Sequence, residues 1–391
     1  AVNGVANFDG SGVKLTGLVG AKTITATSTP GGFTANLSVT LTYGTATKLG
    51  TTAATITTSN RRVVAQPTVM VQDVSGNTVT NATNAISASV TSANAADVAL
   101  SGASTANSVA GARTFTSFML SGIVGNYTVT YESAGLAPIS QGVTLEWGNP
   151  VRLSLTRPAS NGANDQVFSV QPELRVVDFD GNLVNSGLSV NVAVSTGSAG
   201  GSATALYSQP FTAVGGIATF STLRLQGIAD TYTLTYSAAG ISSATQTITI
   251  SHGAAYRLSV TAQPQSVVNR GTFTTQPVVE VQDISGNRVL SATTQIRVEP
   301  MGYTLTGTTL LNSVAGLADW STATNPLGAY GAAGGQTLVY RATTGGILGW
   351  SHQFTLTHGV PFQVAMTSPA TLVNDTVFGT QPVVTIQDQD G

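Results

Sequence analysis

No cysteine occurs in the 391 residues of this chain. That removes disulfide staples, thiol catalysis and cysteine-based zinc sites, although repeat arrays without cysteine are common enough that a reducing compartment does not follow. Charge is scarce too: Asp, Glu, Lys and Arg make up 8% of the residues, against about 25% in ordinary soluble proteins. A net charge of −2 gives no electrostatic footprint for nucleic acid or an anionic membrane. Lysine appears only as Lys14, Lys22 and Lys48, so a Lys-Asn isopeptide cross-link repeated along the chain is excluded. No run of 18 apolar residues exists and no basic-then-apolar leader opens the chain, so neither a membrane span nor an uncleaved signal peptide is expected. Thr, Ser, Asn and Gly carry the polarity instead. Neutral surfaces of this kind associate readily, and the expected partners are neighbouring copies of the same protein, with surface glycans as a second class.

What is present is repetition. Gln66-Pro67 opens a stretch that runs to Asp73, Gly76 and Asn77; it returns from Gln171-Pro172 to Asp178, Gly181 and Asn182, from Gln276-Pro277 to Asp283, Gly286 and Asn287, and from Gln381-Pro382 to the last residue, Gly391. The interval is 105 residues each time, which predicts a tandem array of one domain rather than a solenoid of short units. Aliphatic residues alternate with variable ones at Val69 and Val71, Leu174 and Val176, Val279 and Val281, and Val384 and Ile386. This is the period of a half-buried strand. Proline stands at its first position, where a missing N–H does little harm. The Asp-x-x-Gly-Asn that follows predicts a turn, with Asp accepting backbone N–H groups and Gly and Asn tolerating positive φ.

A second recurrence marks joints between domains. Tyr43-Gly44 through Lys48 reappears as Trp147-Gly148 through Arg152, as His252-Gly253 through Arg257, and as His358-Gly359 through Gln363. Each is read as a last strand passing into the next first strand within a few residues, a joint too short for a flexible string. Flat rings packed between domains, and a cation laying its stem on the neighbouring domain, are the expected roles of these side chains. The domains are then 45–148, 149–253 and 254–359, flanked by the rear half of a repeat at 1–44 and the front half of another at 360–391. Completion of one chain's end by another's beginning is one way such halves could be closed.

Each repeat offers roughly seven short strands spaced as in an antiparallel β-sandwich, and no stretch has a helical period. Tyr127-Thr128-Val129-Thr130-Tyr131 and Tyr232-Thr233-Leu234-Thr235-Tyr236 make Tyr127 and Tyr232 the candidates for a tyrosine corner. Val129 and Leu234 stand where antibody domains carry cysteine. The third repeat departs, with Gln336 and Leu338 before Tyr340.

The Gln-Pro strand with its turn, the Gly-x-Ala-x-Phe strand (Gly216 to Phe220), and the Tyr-Thr-Leu-Thr-Tyr strand ending in Ala134-Gly135-Leu136 or Ala239-Gly240-Ile241 resemble the bacterial Ig-like repeats of the invasin and intimin type. The likeness covers essentially the whole chain. It implies tandem Ig-like domains of about 105 residues in a long bacterial surface protein, and since such repeats serve as stalk, spacer, adhesin and surface-layer material, it does not fix function.

Chemistry-bearing residues are few. Asp178, Asp180 and Asn182, and likewise Asp388 and Asp390, have the spacing that begins an oxygen-ligand calcium loop, but Ser75 and Ser285 replace the second Asp elsewhere and turn capping is the favoured reading; no other cofactor is expected. His252, His352 and His358 build neither a zinc set nor a Ser-His-Asp set by spacing, and no catalytic residue is named. Asn36, Asn81, Asn126 and Asn374 head glycosylation sequons. The expected function is that of a non-enzymatic segment of an extracellular fibre, sheath or surface layer. The alternative is the stalk of an adhesin whose binding tip lies outside this chain.

Overall fold

The computed structural model describes residues 1–391 apart from 53–54, 63–65, 103–104, 208–210 and 368–372. The chain is all-β, and among the described residues the only helical pieces are the single 3₁₀ turns Ala95–Asp97 and Trp320–Thr322.

Three cores follow one another along the sequence: one bounded by Leu49 and Leu145, one by Leu153 and Ile250, and one by Leu258 and Leu356. The first two each lie between a three-stranded and a five-stranded sheet, whereas the strands around the third are divided among four smaller sheets. In the first, Lys48–Thr51 pairs with Thr68–Gln72, which pairs with Ala112–Thr114. The facing sheet runs from Thr55–Ser59 through Ile139–Glu146 and Gly125–Glu132 to Ala85–Val90. This is the two-sheet plan of an immunoglobulin-type sandwich, and it recurs around the second core. Alternation explains the division of faces. Val69 and Val71 are fully buried, as are Leu174, Val279 and Val281.

One departure from the sequence reading has a physical cause. Each unit carries a parallel strand pairing within a mainly antiparallel plan, Thr55–Ser59 with Ile139–Glu146, Gly162–Ala163 with Ala244–Ser251, and Val267–Val268 with Phe354–Thr357, and the first two add single parallel bridges, Lys48 with Ala137 and Arg152 with Ser242. The early segment of each unit lies along the last strand and covers its outer edge, becoming the short edge strand of that sheet. Thr114 to Leu120 does not form one continuous strand. It breaks between Ala112–Thr114 and Met119–Gly122, where Phe115 and Phe118 both turn into the core, 1% and 3% exposed.

The repeated glutamine has a specific task. Gln66 Oε1 accepts from Phe118 N at 2.9 Å, Gln171 binds both the N–H and the carbonyl of Leu223, and Gln276 does the same to Leu327. A side-chain amide thus completes backbone pairing where the strand has broken.

The flanking pieces are hairpins, Gly20–Thr27 with Thr34–Leu41 and Gln363–Met366 with Val384–Gln387. Val364 and Ile386 are 68% and 74% exposed, whereas their counterparts Leu153 and Val176 are 4% and 1% exposed.

Candidate functional site: the polar lock between units

The Asp-x-x-Gly-Asn turn lies at the joint. Within the second unit Asp178 Oδ1 accepts the backbone N–H groups of Asp180 and Asn182, at 3.0 and 2.9 Å, and Gly181 takes φ 92° to close the loop. That leaves Asp178 Oδ2 facing the unit before. There it accepts from Gly148 N at 2.9 Å and from Asn60 Nδ2 at 2.9 Å. Asn182 reaches across beside it, donating to the Gly122 carbonyl at 2.8 Å and accepting from Val124 N at 2.9 Å. Asn60 Oδ1 accepts from Gly122 N at 3.0 Å and so ties two loops of the first unit together.

The arrangement is repeated with other residues. Between the second and third units Asp283 Oδ2 accepts from Gly253 N at 2.7 Å and Asn164 Nδ2 at 2.8 Å, while Asn287 bridges to Gly227 O and Ala229 N. Before the first core, Asp73 accepts from Gly44 N and Asn77 bridges to Gly17 O and Val19 N. At the far end Asp388 accepts from Gly359 N at 2.8 Å and Asn269 Nδ2 at 2.7 Å. The joint glycines are demanded by space: a Cβ on Gly148 would stand 2.8 Å from the Asn60 carbonyl oxygen, and one on Gly253 would stand 2.6 Å from that of Asn164.

These carboxylates sit in cradles of N–H donors, and their acidity follows. At Asp73 the Gly44 N–H, then the Asn77 side chain, hold the carboxyl at about 2. Burial pushes Asp178 up, but the bonds from Asn60, Gly148 and Asn182 outweigh it and the net shift is downward. Asp283 behaves the same way, through Gly253, Asn287 and Asn164. Asp388 is lowered first by Asn269 and then by Gly359. A carboxylate that accepts several donors is stabilised in its charged form.

The calcium candidates are therefore surrounded by donors. Asp178 is met by the groups just named, and Asp180 accepts from Arg61 at 2.7 and 2.8 Å and from Asn60 at 2.8 Å. Asn182 is spent on its own aspartate and on the preceding unit. Asp390 accepts both arms of Arg270. A cation would have to displace these donors. Among the described residues no group of three or more His, Asp and Glu side chains converges to hold a metal.

The joint side chains behave differently from expectation. The cation turns back onto its own unit: Lys48 Nζ donates to the Val74 carbonyl and Arg152 to those of Asp178 and Phe179, while Arg257 bonds Gln282 and Gln363 bonds Gln387. The rings do not fill the joint. Trp147 is 43% exposed, His358 is exposed, and His252 is half-buried with its Nδ1 at 3.1 Å from the neighbouring Gly253 carbonyl oxygen. Tyr43 packs on the edge of the first core. Trp147 instead lines a groove of ≈ 590 Å³ beside the first lock, with Arg61, Arg62, Asn149, Val151 and Phe179. His352 is exposed, its backbone N–H donating to Gln263.

Tyr127 donates its hydroxyl to the Ile123 carbonyl at 2.7 Å and Tyr232 to that of Ile228 at 2.6 Å. In the third unit Gln336 reaches Ala332 in the same way, and Tyr303 ties down Thr337. These contacts hold the loops that receive Asn182 and Asn287. The sequon residues Asn36, Asn81, Asn126 and Asn374 are all exposed, and Asn36 and Asn126 accept hydroxyl bonds from Thr25 and Thr144.

The sequence reading passed over Asn60, Asn164 and Asn269. Their signal was available in their recurrence at nearly the same interval as the turns, and in the structure each precedes a residue of positive φ, Arg61 at 57°, Asp165 at 59° and Arg270 at 66°.

No protein-family model matches this chain, and no curated protein does. Among solved structures it is similar to the FdeC adhesin of Escherichia coli, at 15% identity over 82% of this chain and all of that one, with a TM-score of 0.32. It is similar to invasin, described as a bacterial integrin-binding protein, at 14% identity over 84% of this chain and 62% of that one, TM-score 0.28. The surface layer protein SbsC is similar at 14% identity over 95% of this chain and 59% of that one, TM-score 0.21. At these TM-scores the likenesses carry no weight on function, and the lock stands on its own geometry.

Proposed function

We propose that this chain is a non-enzymatic structural segment of a bacterial surface protein, working outside the cell as a string of sandwiches held in line by polar locks. One observation carries the reading: at every junction along the chain an Asp of one unit accepts from a joint Gly, and wherever an Asn closes the turn it grips the strand-entry loop of the unit before. Repetition of a joint, rather than of a pocket, is what spanning distance requires. The low charge of the surface favours lateral contact between copies, and on this reading the partners are neighbouring copies in a fibre, sheath or surface layer.

The test is small-angle scattering of the full chain beside a variant in which Asn182 and Asn287 are both alanine. An elongated particle that becomes shorter and more flexible in the variant is the expected result. A compact particle, or identical profiles, would overturn the structural reading, as would hydrolysis of any glycan by the intact chain.

A further inference from the structure

Two positions at the lock vary together. The residue after the lock asparagine is Arg61, Asp165, Arg270 and Asp375 in successive units, and the third residue of the turn is Ser75, Asp180, Ser285 and Asp390. The units therefore come in two kinds that alternate, one with Ser in its turn and Arg behind its asparagine, the other with Asp at both places. The structure gives this alternation a physical meaning. Where an Arg unit precedes an Asp unit, the guanidinium reaches across the joint and binds the carboxylate with two parallel N–H bonds, Arg61 to Asp180 at 2.7 and 2.8 Å and Arg270 to Asp390 at 2.9 and 2.5 Å. Arg61 also lies over the Phe179 ring, 4.1 Å from its centre. Where an Asp unit precedes an Arg unit, no ion pair crosses among the described residues. Asp165 turns to Arg224 of its own unit at 2.9 Å, and Ser285 meets Asn164 at 3.3 Å.

We infer that these two positions specify which unit follows which and give the array alternating stiff and soft joints, so that its rigid element is a pair of units. Two Asp units in succession would set carboxylate against carboxylate at a joint that already holds Asp178 or Asp388. Two Arg units in succession would leave a guanidinium facing a serine. Only alternation satisfies both faces, with the bidentate geometry that makes Arg and carboxylate a directional pair. The left-handed backbone at Arg61, Asp165 and Arg270 points the side chain of this one residue at the following unit or back at its own. This inference holds whether the array works as a fibre or as a stalk.

Because the chain has no cysteine, paired spin labels can be placed at will in the full protein. Cysteines substituted for Ala134 and Ala239 report the first joint, and those for Ala239 and Thr344 the second; all three positions are exposed. The expected result is a narrow distance distribution across the first joint and a broader one across the second. Molar salt or Arg61→Ala should give roughly a two- to fivefold larger bent population at the first joint only. The exchange of charges, Arg61→Asp with Asp180→Arg, should restore the narrow distribution. Conversely, Asp165→Arg with Ser285→Asp should narrow the second joint and make it salt-sensitive. Equal widths at both joints, or no response of the first joint to salt, would overturn the inference. Circular dichroism of each variant separates a loosened joint from a lost fold.

Discussion

Asp178 serves two masters: one carboxylate oxygen closes its own turn, and the other binds the backbone of the neighbouring unit. The residue was legible in the sequence as a turn former because Asp, Gly and Asn at that spacing do that locally. Its second oxygen was not legible, since nothing within the turn says what faces it. Asn164 is the sharpest probe of that outer half, being 1% exposed with both ends of its amide engaged. Asn164→Ala leaves a carboxylate oxygen and the Gly227 N–H short of partners and should cost about 1–3 kcal/mol, read as a lower melting temperature by calorimetry. Acid probes the same bonds. The folded value of Asp73, about 2, lies below its ordinary 3.8, so its stabilising contribution is complete well above 3.8 and disappears as pH falls towards 2. Thermal melts at a series of pH values should therefore drop over that window, with no matching change between pH 5 and 7. Chelation gives a third check: because N–H donors already occupy Asp178 and Asp180, removing calcium with EDTA should leave the melting temperature unchanged, and a fall would place a cation in the turn.

Among the elements, the strand behind the Gln-Pro pair was the most readable, since two aliphatic residues on one face of a short strand leave little choice of orientation. The tyrosine strand was nearly as clear, with Tyr232, Leu234 and Tyr236 all at 1% exposure or less. Leu234→Ala empties the place where related sandwiches carry a staple and should destabilise its unit by about 2–5 kcal/mol, measured by chemical denaturation. Tyr232→Phe removes only the 2.6 Å bond to Ile228 and should cost about 0.5–1.5 kcal/mol. It should also loosen the second lock, because the loop it pins carries Ala229 and Gly227. The break at Phe115 to Phe118 leaves two buried rings three residues apart, a spacing that an unbroken strand would send to opposite faces. The parallel closing segment was hidden because Gly162–Ala163 is too short to show any period.

Across the molecule, the buried apolar residues described fall into three separate cores, and what spans the joints is mainly hydrogen bonds, with an arginine–carboxylate pair at two of them. Such joints are directional, because angles as well as distances must be kept, and protonation of their carboxylates should loosen them before the cores. Scattering at pH 7 and at pH 2 should show the units intact and the string more flexible in acid; unfolding of the units themselves at pH 2 would mean that the locks are inseparable from the folds. The neutral surface, legible from composition alone, leaves these few carboxylates as an unusually large share of the charge the chain possesses.

Each lock also makes every unit a template for its neighbour. Asn60, Gly122, Val124 and Gly148 present one acceptor and three donors that the following turn saturates, so the free energy of closing one turn depends on the unit before it being formed. The string is then a one-dimensional chain with nearest-neighbour coupling, and its weakest member is whichever unit lacks a successor. Melting should begin by fraying from an uncapped end, and a single added unit of the right kind should raise the stability of the one it covers.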